Sequence, residues 1–342
     1  MDDTSAGRSV AANSNHFDEQ TLRPDPDSLS VIIPFYNEAE CVDLLLDTLL
    51  PVVRPLCDSI EVICVDDGSS DKTGPSLLKR CRDIPELRVI RLSRNFGQDA
   101  AITAGLAHSS GQVICIMDAD LQHPPALLPT MINAWREGAD MVCMIRKHRD
   151  DETPFVRSAK SVFYWIMQRI CSFEMVQSAA HFRLMDRKAC NALLRLTERS
   201  RYQAGLYQWI GFPTTYMEYT PDQRAAGSTK WLLLPMLNRA LRGIISFSSA
   251  PLRIWSFTGA TIACMAFLYG FYIVVKTLIF GIDFPGFATL ATLILFFSGV
   301  ILLSIGMIGE YLAGLFEEVK QRPLYLIYET RGFDQDNIDR TS

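Results

Sequence analysis

The chain has 342 residues, a formal net charge of -5 and 49% apolar residues, long enough for one large domain or two ordinary ones. The mildly acidic balance gives no sign of a nucleic-acid surface, which needs a basic stripe. Nine cysteines occur without a Cys-x-x-Cys pair, which argues against a zinc site or a disulfide framework and fits reduced, buried thiols.

Residues 1–28 are polar, carry Asp and Glu, and have no apolar core; they read as a flexible tail, not a signal peptide. Ser28 to Pro34 is then a short apolar run typical of a buried strand, with Phe35-Tyr36-Asn37-Glu38 as its outgoing loop. Cys41 to Val53 places Leu44, Leu45, Leu49 and Leu50 at helical spacing. Ile60 to Val65 is a second strand, ending in Asp66-Asp67-Gly68-Ser69-Ser70-Asp71, where Ser70 or Asp71 can cap the next helix. Leu87 to Leu92 is a third, and Ser93-Arg94-Asn95-Phe96-Gly97 leads into a helix over Gln98 to His108. Val113 to Met117, a helix over Ala126 to Glu137, and Asp140 to Ile145 complete the series.

Strands alternating with helices predict an α/β fold with a mostly parallel sheet covered on both faces. The carboxyl ends of such strands lie side by side, so Tyr36-Asn37-Glu38, Asp66-Asp67, Arg94-Asn95 and Asp118-Ala119-Asp120 should converge on one crevice. Asp-x-Asp alone is as well suited to a polar turn. Neither a Gly-x-Gly-x-x-Gly fingerprint nor a phosphate-binding Gly-x-x-x-x-Gly-Lys loop is present. An acidic crevice holds a diphosphate only through a bridging cation, and carboxylate and carboxamide oxygens suit Mg2+ or Mn2+.

Pro34-Phe35-Tyr36-Asn37-Glu38, Val65-Asp66-Asp67-Gly68-Ser69, Ser93-Arg94-Asn95-Phe96-Gly97 and Asp118-Ala119-Asp120-Leu121-Gln122 together resemble the family 2 glycosyltransferases. Within that family they are similar to the polyprenyl-phosphate glycosyltransferases, the group of dolichol-phosphate mannose synthases and bactoprenol glucosyltransferases. The resemblance implies a GT-A nucleotide-sugar-binding fold and a divalent metal. It implies that Pro34, Tyr36 and Glu38 line the nucleoside pocket and that Asp66 reads the base. Asp120 and Gln122 would ligate the metal, with Asp118 completing the set and facing the ribose or sugar.

Downstream, Arg146 and Arg157 would clasp the acceptor phosphate, with Lys160 beside them, since guanidinium groups suit phosphate oxygens. The same resemblance lets Arg224 and Lys230, in Arg224-Ala225-Ala226-Gly227-Ser228-Thr229-Lys230, touch the pyrophosphate or the lipid head group. His181 stands where relatives have a small or acidic residue and is left outside the catalytic set, which is Asp118, Asp120, Arg146 and Arg157.

Trp231 to Phe247 has the apolar stripe and basic residues of an interfacial helix. Phe257 to Val275 and Phe284 to Gly309 carry no charge, and about 20 apolar residues cross a bilayer. Arg239, Arg242 and Arg253 precede these spans, and Lys320 and Arg322 follow them, which places both termini in the cytoplasm by the positive-inside rule. The expected organisation is a tail over 1–28, a catalytic domain over 29–228, juxtamembrane helices over 229–254, spans over 255–280 and 284–310, and a cytoplasmic tail over 311–342.

The implied activity is inverting, metal-dependent transfer of a hexose, with UDP-glucose as the first donor considered, to undecaprenyl phosphate at the bacterial inner membrane. UDP-N-acetylhexosamine, GDP-mannose and a modified pentose are alternative donors, and an inactive nucleotide-sugar-binding scaffold is the alternative from another class. A homotetramer is implied by the resemblance alone. A processive polysaccharide synthase fits poorly, because Gln-x-x-Arg-Trp is missing.

Overall fold

A computed structural model describes residues 22–147, 169, 179–199, 201, 203–220, 250–280 and 286–333. In chain order the elements are β1 (Ser28–Phe35), α1 (Cys41–Val53), β2 (Ser59–Asp66), α2 (Thr73–Asp83), β3 (Leu87–Leu92), α3 (Gln98–His108) and β4 (Val113–Ile116). A 3-10 turn (Pro125–Leu127) leads into α4 (Leu128–Arg136), followed by β5 (Met141–Arg146), β6 (Ala179–Asp186), α5 (Arg187–Leu194), α6 (Gln203–Trp209) and β7 (Thr214–Tyr219). Two long helices, α7 (Ala250–Phe280) and α8 (Phe287–Val319), precede a last strand, β8 (Ile327–Arg331).

The strands form one sheet in the order β7-β5-β6-β4-β1-β2-β3-β8. Its centre, β4-β1-β2-β3, is parallel, as alternating strands and helices require. β6 runs antiparallel between β4 and β5, and β8 antiparallel to β3. The sheet is therefore the mostly parallel α/β sheet expected, extended by antiparallel strands on both flanks.

Period-two alternation distributes each strand between two cores. Val31, Ile33, Phe35, Val62, Cys64, Val113 and Cys115 pack with α1, α2 and α4 on one face. Ile32, Ile63, Val65, Ile90, Ile114 and Ile116 pack with α3, α5 and α6 on the other. On α1 the buried stripe is Val42, Leu45, Leu46, Leu49, Leu50 and Val53, while Leu44 is exposed. The i, i+3, i+4, i+7 spacing from Val42 selects Leu46 rather than Leu44.

Helix α8 continues past residue 310 to Val319, and β8 then returns to the sheet, so the sheet is not confined to residues 29–228. Among the described residues, two segments are long and apolar enough to cross a membrane, Ile254–Ile273 and Phe296–Val319, and neither is buried within the chain. Trp255 donates its indole N–H to Ser304 across the pair. The expected interfacial helix over 231–247 lies outside the described residues.

Helix α3 approaches β1 so closely that a Cβ on Gly105 would lie 2.4 Å from Cγ2 of the fully buried Ile32. Ile32 is β-branched and enclosed, so it has little room to yield. Gly105→Val is expected to destabilise the domain by about 1–3 kcal/mol, read as a lower melting temperature of the detergent-solubilised protein.

Candidate active site

The parallel register aligns Phe35 with Asp66 and Asp66 with Arg91, and pairs Ile32 with Ile116. The loops after β1, β2, β3 and β4 therefore leave one sheet edge, where α/β folds place their ligands. They are tied together by hydrogen bonds. The Asn37 amide donates to Ser69 Oγ at 3.0 Å, and the Ser70 amide to Asn37 Oδ1 at 2.9 Å. Asn37 takes a left-handed φ of 53° to do this, a conformation Asn tolerates better than most residues. Tyr36 beside it is 48% exposed, with its ring available at the rim, whereas Pro34 is buried in the strand. The Glu38 amide donates to Thr73 Oγ1 at 2.9 Å.

Asp71 holds the start of α2. It accepts from the Thr73 hydroxyl at 2.6 Å, the Thr73 amide at 2.9 Å and the Ala39 amide at 3.2 Å. Partial burial raises its pKa, but these hydrogen bonds outweigh it and hold the carboxyl below the usual range. Of the two expected caps, Asp71 is therefore the one used. Asp66 is fully buried; it accepts from Arg91 Nε at 3.1 Å and from the Ser69 amide at 3.0 Å.

Asp67, placed in the crevice by the sequence without a role of its own, ties two loops together. Its carboxylate accepts from the Phe96 amide at 2.8 Å and the Gly97 amide at 2.9 Å, fastening the β2 loop to the β3 loop. Burial pushes its carboxyl pKa up, against those amides. The second Asp of Asp66-Asp67 offers no sequence signal for this, because either residue can face either loop.

The loop after β4 closes on itself. The Asp118 amide donates to His123 Nδ1 at 2.9 Å, and the Gln122 amide to Asp120 Oδ1 at 3.1 Å. Between them Leu121 adopts φ 59°, a strained conformation for a branched side chain that local bonding must hold. Because His123 Nδ1 accepts, its proton sits on Nε2, which lies 3.5 Å from Asp118 Oδ2. His123 is fully buried, stacked on Phe182 at 4.9 Å and edge-on to Tyr219 at 6.1 Å. Burial, with the charges of Arg146 and His181, pushes the imidazole down to about 3, so it packs as a neutral ring. Gln98 Nε2 donates to Asp118 Oδ1 at 2.8 Å. Gln98 directly follows the Ser93–Gly97 motif, a position that could have marked it.

Arg146, the last residue of β5, pairs with Tyr219 in the ladder, and its Nε donates to Tyr219 Oη at 3.2 Å. Burial raises the Tyr219 phenol, opposed by the Arg146 charge. The structure thus brings Tyr36, Glu38, Asp66, Asp118, Asp120, Gln122 and Arg146 to one sheet edge. Arg157, Lys160, Arg224 and Lys230 lie outside the described residues. A separate groove of about 530 Å³, lined by Asp27, Arg54, Cys57 and Asn133 among others, opens at the opposite edge, where β1 and β2 begin.

The loop after β4 carries two carboxylates and a carboxamide, Asp118, Asp120 and Gln122, oxygen donors of the kind that suit Mg2+ or Mn2+. Among the described residues no group of three or more His, Cys, Asp and Glu could hold a metal ion.

Acidic loops at the carboxyl ends of parallel strands mark this edge as the place for a ligand. The description "Glycosyl transferase family 2" matches residues 30–194, and "GtrB C-terminal hairpin" matches residues 250–315. The chain belongs to glycosyltransferase family 2 and carries that hairpin. An uncharacterized glycosyltransferase of Synechocystis sp. is 40% identical over 90% of this chain and 96% of its own. A prophage-derived bactoprenol glucosyl transferase of Shigella flexneri is 34% identical over 87% of this chain and 97% of its own. Among solved structures, glucosyl-3-phosphoglycerate synthase from Mycobacterium tuberculosis has a TM-score of 0.44 and 18% identity, covering 64% of this chain and 78% of that one.

Replacing Asp67 by Asn leaves one of the Phe96 and Gly97 amides facing an NH2 group. Asp67→Asn is expected to cost about 1–3 kcal/mol, the penalty of a buried unsatisfied donor, measurable as a thermal-shift decrease with Asp83→Asn on the same domain as a control.

Proposed function

We propose that the protein transfers a hexose from a nucleotide diphosphate sugar to the phosphate of a membrane polyprenol, with UDP-glucose and undecaprenyl phosphate as the first substrates to test. The observation that carries this reading is the meeting of Asp118, Asp120, Gln122 and Arg146 at one edge of a sheet whose chain also supplies two membrane-length apolar helices. The bactoprenol glucosyl transferase of Shigella flexneri, similar over nearly its whole length, supports the lipid acceptor.

In this reading Asp120 and Gln122 hold a divalent cation, with Asp118 beside them. Bound there, Mg2+ or Mn2+ offsets the charge of the departing diphosphate. Tyr36, Glu38 and Pro34 line the nucleoside side, and Asp66 reads the base. Arg146, oriented by Tyr219, grips the acceptor phosphate with Arg157 and Lys160, and Arg224 and Lys230 touch the pyrophosphate or the lipid head group. A phosphate oxygen attacks the anomeric carbon as the bond to the diphosphate breaks on the opposite face, so the configuration inverts. A phosphate monoester has a second pKa of about 6 and is already anionic at neutral pH, so no side chain has to remove a proton. Positioning of the two substrates then carries much of the rate enhancement.

The return of β8 to the sheet supports a catalytic domain and post-membrane tail on the same side, the cytoplasmic one by the charge pattern around the helices. Assembly as a homo-oligomer, a tetramer by family resemblance, belongs to this reading and is tested by light scattering in detergent.

Membranes incubated with labelled UDP-glucose, UDP-N-acetylhexosamine, GDP-mannose or a UDP-pentose and undecaprenyl phosphate should yield one labelled lipid whose mild acid hydrolysis releases the sugar. Nucleotide-sugar binding without turnover of any donor would favour the scaffold instead. Asp120→Ala and Gln122→Ala are each expected to reduce transfer by at least about a hundredfold, and chelation should abolish it in the wild type. Full activity of both variants in metal-free buffer would sink the metal assignment.

A further inference from the structure

The donor edge and the chain beyond the membrane helices meet at one side chain, Arg91. It faces Asp66 in the parallel β2–β3 register, and it faces Glu329 in the antiparallel β3–β8 register. Its Nε donates to Asp66 Oδ2 at 3.1 Å, and its Nη1 lies 3.6 Å from Glu329 Oε2. Its guanidinium carbon is 5.8 Å from the Tyr328 ring centroid. A Cβ on Gly74 would come within 2.6 Å of both Arg91 Nε and Asp66 Oδ2. The start of α2 therefore closes over the pair, and the glycine is what lets it do so.

Asp66 is fully buried, and a buried carboxylate deprived of its cation costs far more than the intact pair gains. Without Arg91 the turn would have to rearrange. That turn is where the Gly68 amide bonds the Asp66 carbonyl at 2.8 Å, and where Ser69 and Ser70 hold Asn37 next to Tyr36. Strand β8 fixes Arg91 from the other side. The Ser93 amide donates to the Leu326 carbonyl at 2.8 Å, and Phe333 packs edge-on to His108 at 5.8 Å.

We propose that Arg91 is a positioning residue for donor recognition, fixing Asp66 and its turn beneath the nucleoside, and that β8 holds Arg91 in place. The donor site is then complete only when the chain beyond the membrane helices has joined the sheet. This rests on the reading of the Asp66 loop as part of the donor pocket. It extends that reading to residues on a strand far from the family motifs.

The test is equilibrium binding of UDP, and separately of GDP, to the full-length protein in detergent with Mn2+ present, for wild type, Arg91→Ala, Arg91→Lys and Glu329→Gln. Arg91→Ala is expected to weaken nucleotide binding about tenfold, the effect of one lost charged hydrogen bond acting through Asp66. Arg91→Lys should recover part of that, and Glu329→Gln, which removes the partly exposed ion pair with Arg91, should lose about two- to threefold. Mn2+ affinity by electron paramagnetic resonance and KM for undecaprenyl phosphate should not move, whereas general damage to the fold would move both. If Arg91→Ala does not fold, Glu329→Gln and Tyr328→Ala at the surface carry the same comparison. Unchanged nucleotide affinity in the folded variants, or an equal loss in all three parameters, overturns the inference. A wild type that binds neither UDP nor GDP removes the donor reading itself, and the inference with it.

Discussion

Acidic side chains crowded on one sheet edge repel one another, and the loops around them are built to offset that repulsion. Asp66 meets Arg91, Asp67 meets two backbone amides, Asp71 meets Thr73 and Ala39, and Asp118 meets Gln98. The Asp66–Arg91 pair joins two neighbouring strands and the others join two loops or a loop to a helix start, so the electrostatic need and the shape of the crevice have the same solution. A soluble domain with no ligand for this edge gains little from such crowding, because carboxylates are readily accommodated on open surface. Their place at the ends of adjacent parallel strands is what supports, within the proposed function, a cationic bridge to a phosphorylated substrate.

The central strands were legible because they are short, apolar and bounded by polar clusters: β1 to β5 fall where those runs lie, within a residue or two. The strands that extend the sheet were not. β6 contains His181, Arg183 and Asp186, and β8 reads Ile-Tyr-Glu-Thr-Arg, so neither gives a buried-strand signal. Arg183 is nevertheless buried, its guanidinium 3.5 Å from the Tyr207 ring centroid. A cation over an aromatic face makes a polar strand residue tolerable in a core, but the partner comes from α6 and cannot be found by local pattern. Pairing between β3 and β8 spans most of the chain, and no periodicity reports it.

Candidate site residues were legible in the same uneven way. Asp118, Asp120 and Gln122 stand out because alternate polar residues follow a fully apolar strand. The residues that hold them, Gln98, His123, Phe182 and Tyr219, come from several elements and look ordinary in sequence. His123 is the clearest case, since one imidazole terminates the β4 backbone through Asp118 and fills the aromatic cluster beneath the loop. A charged ring would suit neither task, and burial keeps it neutral.

The long helices are more than an anchor attached to a finished domain. At the end of α8, Glu318 Oε1 accepts from the Arg199 amide at 2.7 Å, and the Arg199 guanidinium reaches the Gln321 carbonyl at 3.5 Å. Burial and the neighbouring Glu318 charge raise the Glu198 carboxyl, with Arg201 opposing. The segment after α5 is therefore fitted to the end of the second apolar helix before the chain turns back as β8. A hinge at this point would leave β8 free to swing away from β3, but the Glu318 contact and the β3–β8 ladder fix the tail at both of its ends. The position of the acidic edge relative to the apolar helices then follows from where α8 ends. The proposed transfer to a lipid phosphate would need that geometry set by rigid elements rather than by a linker.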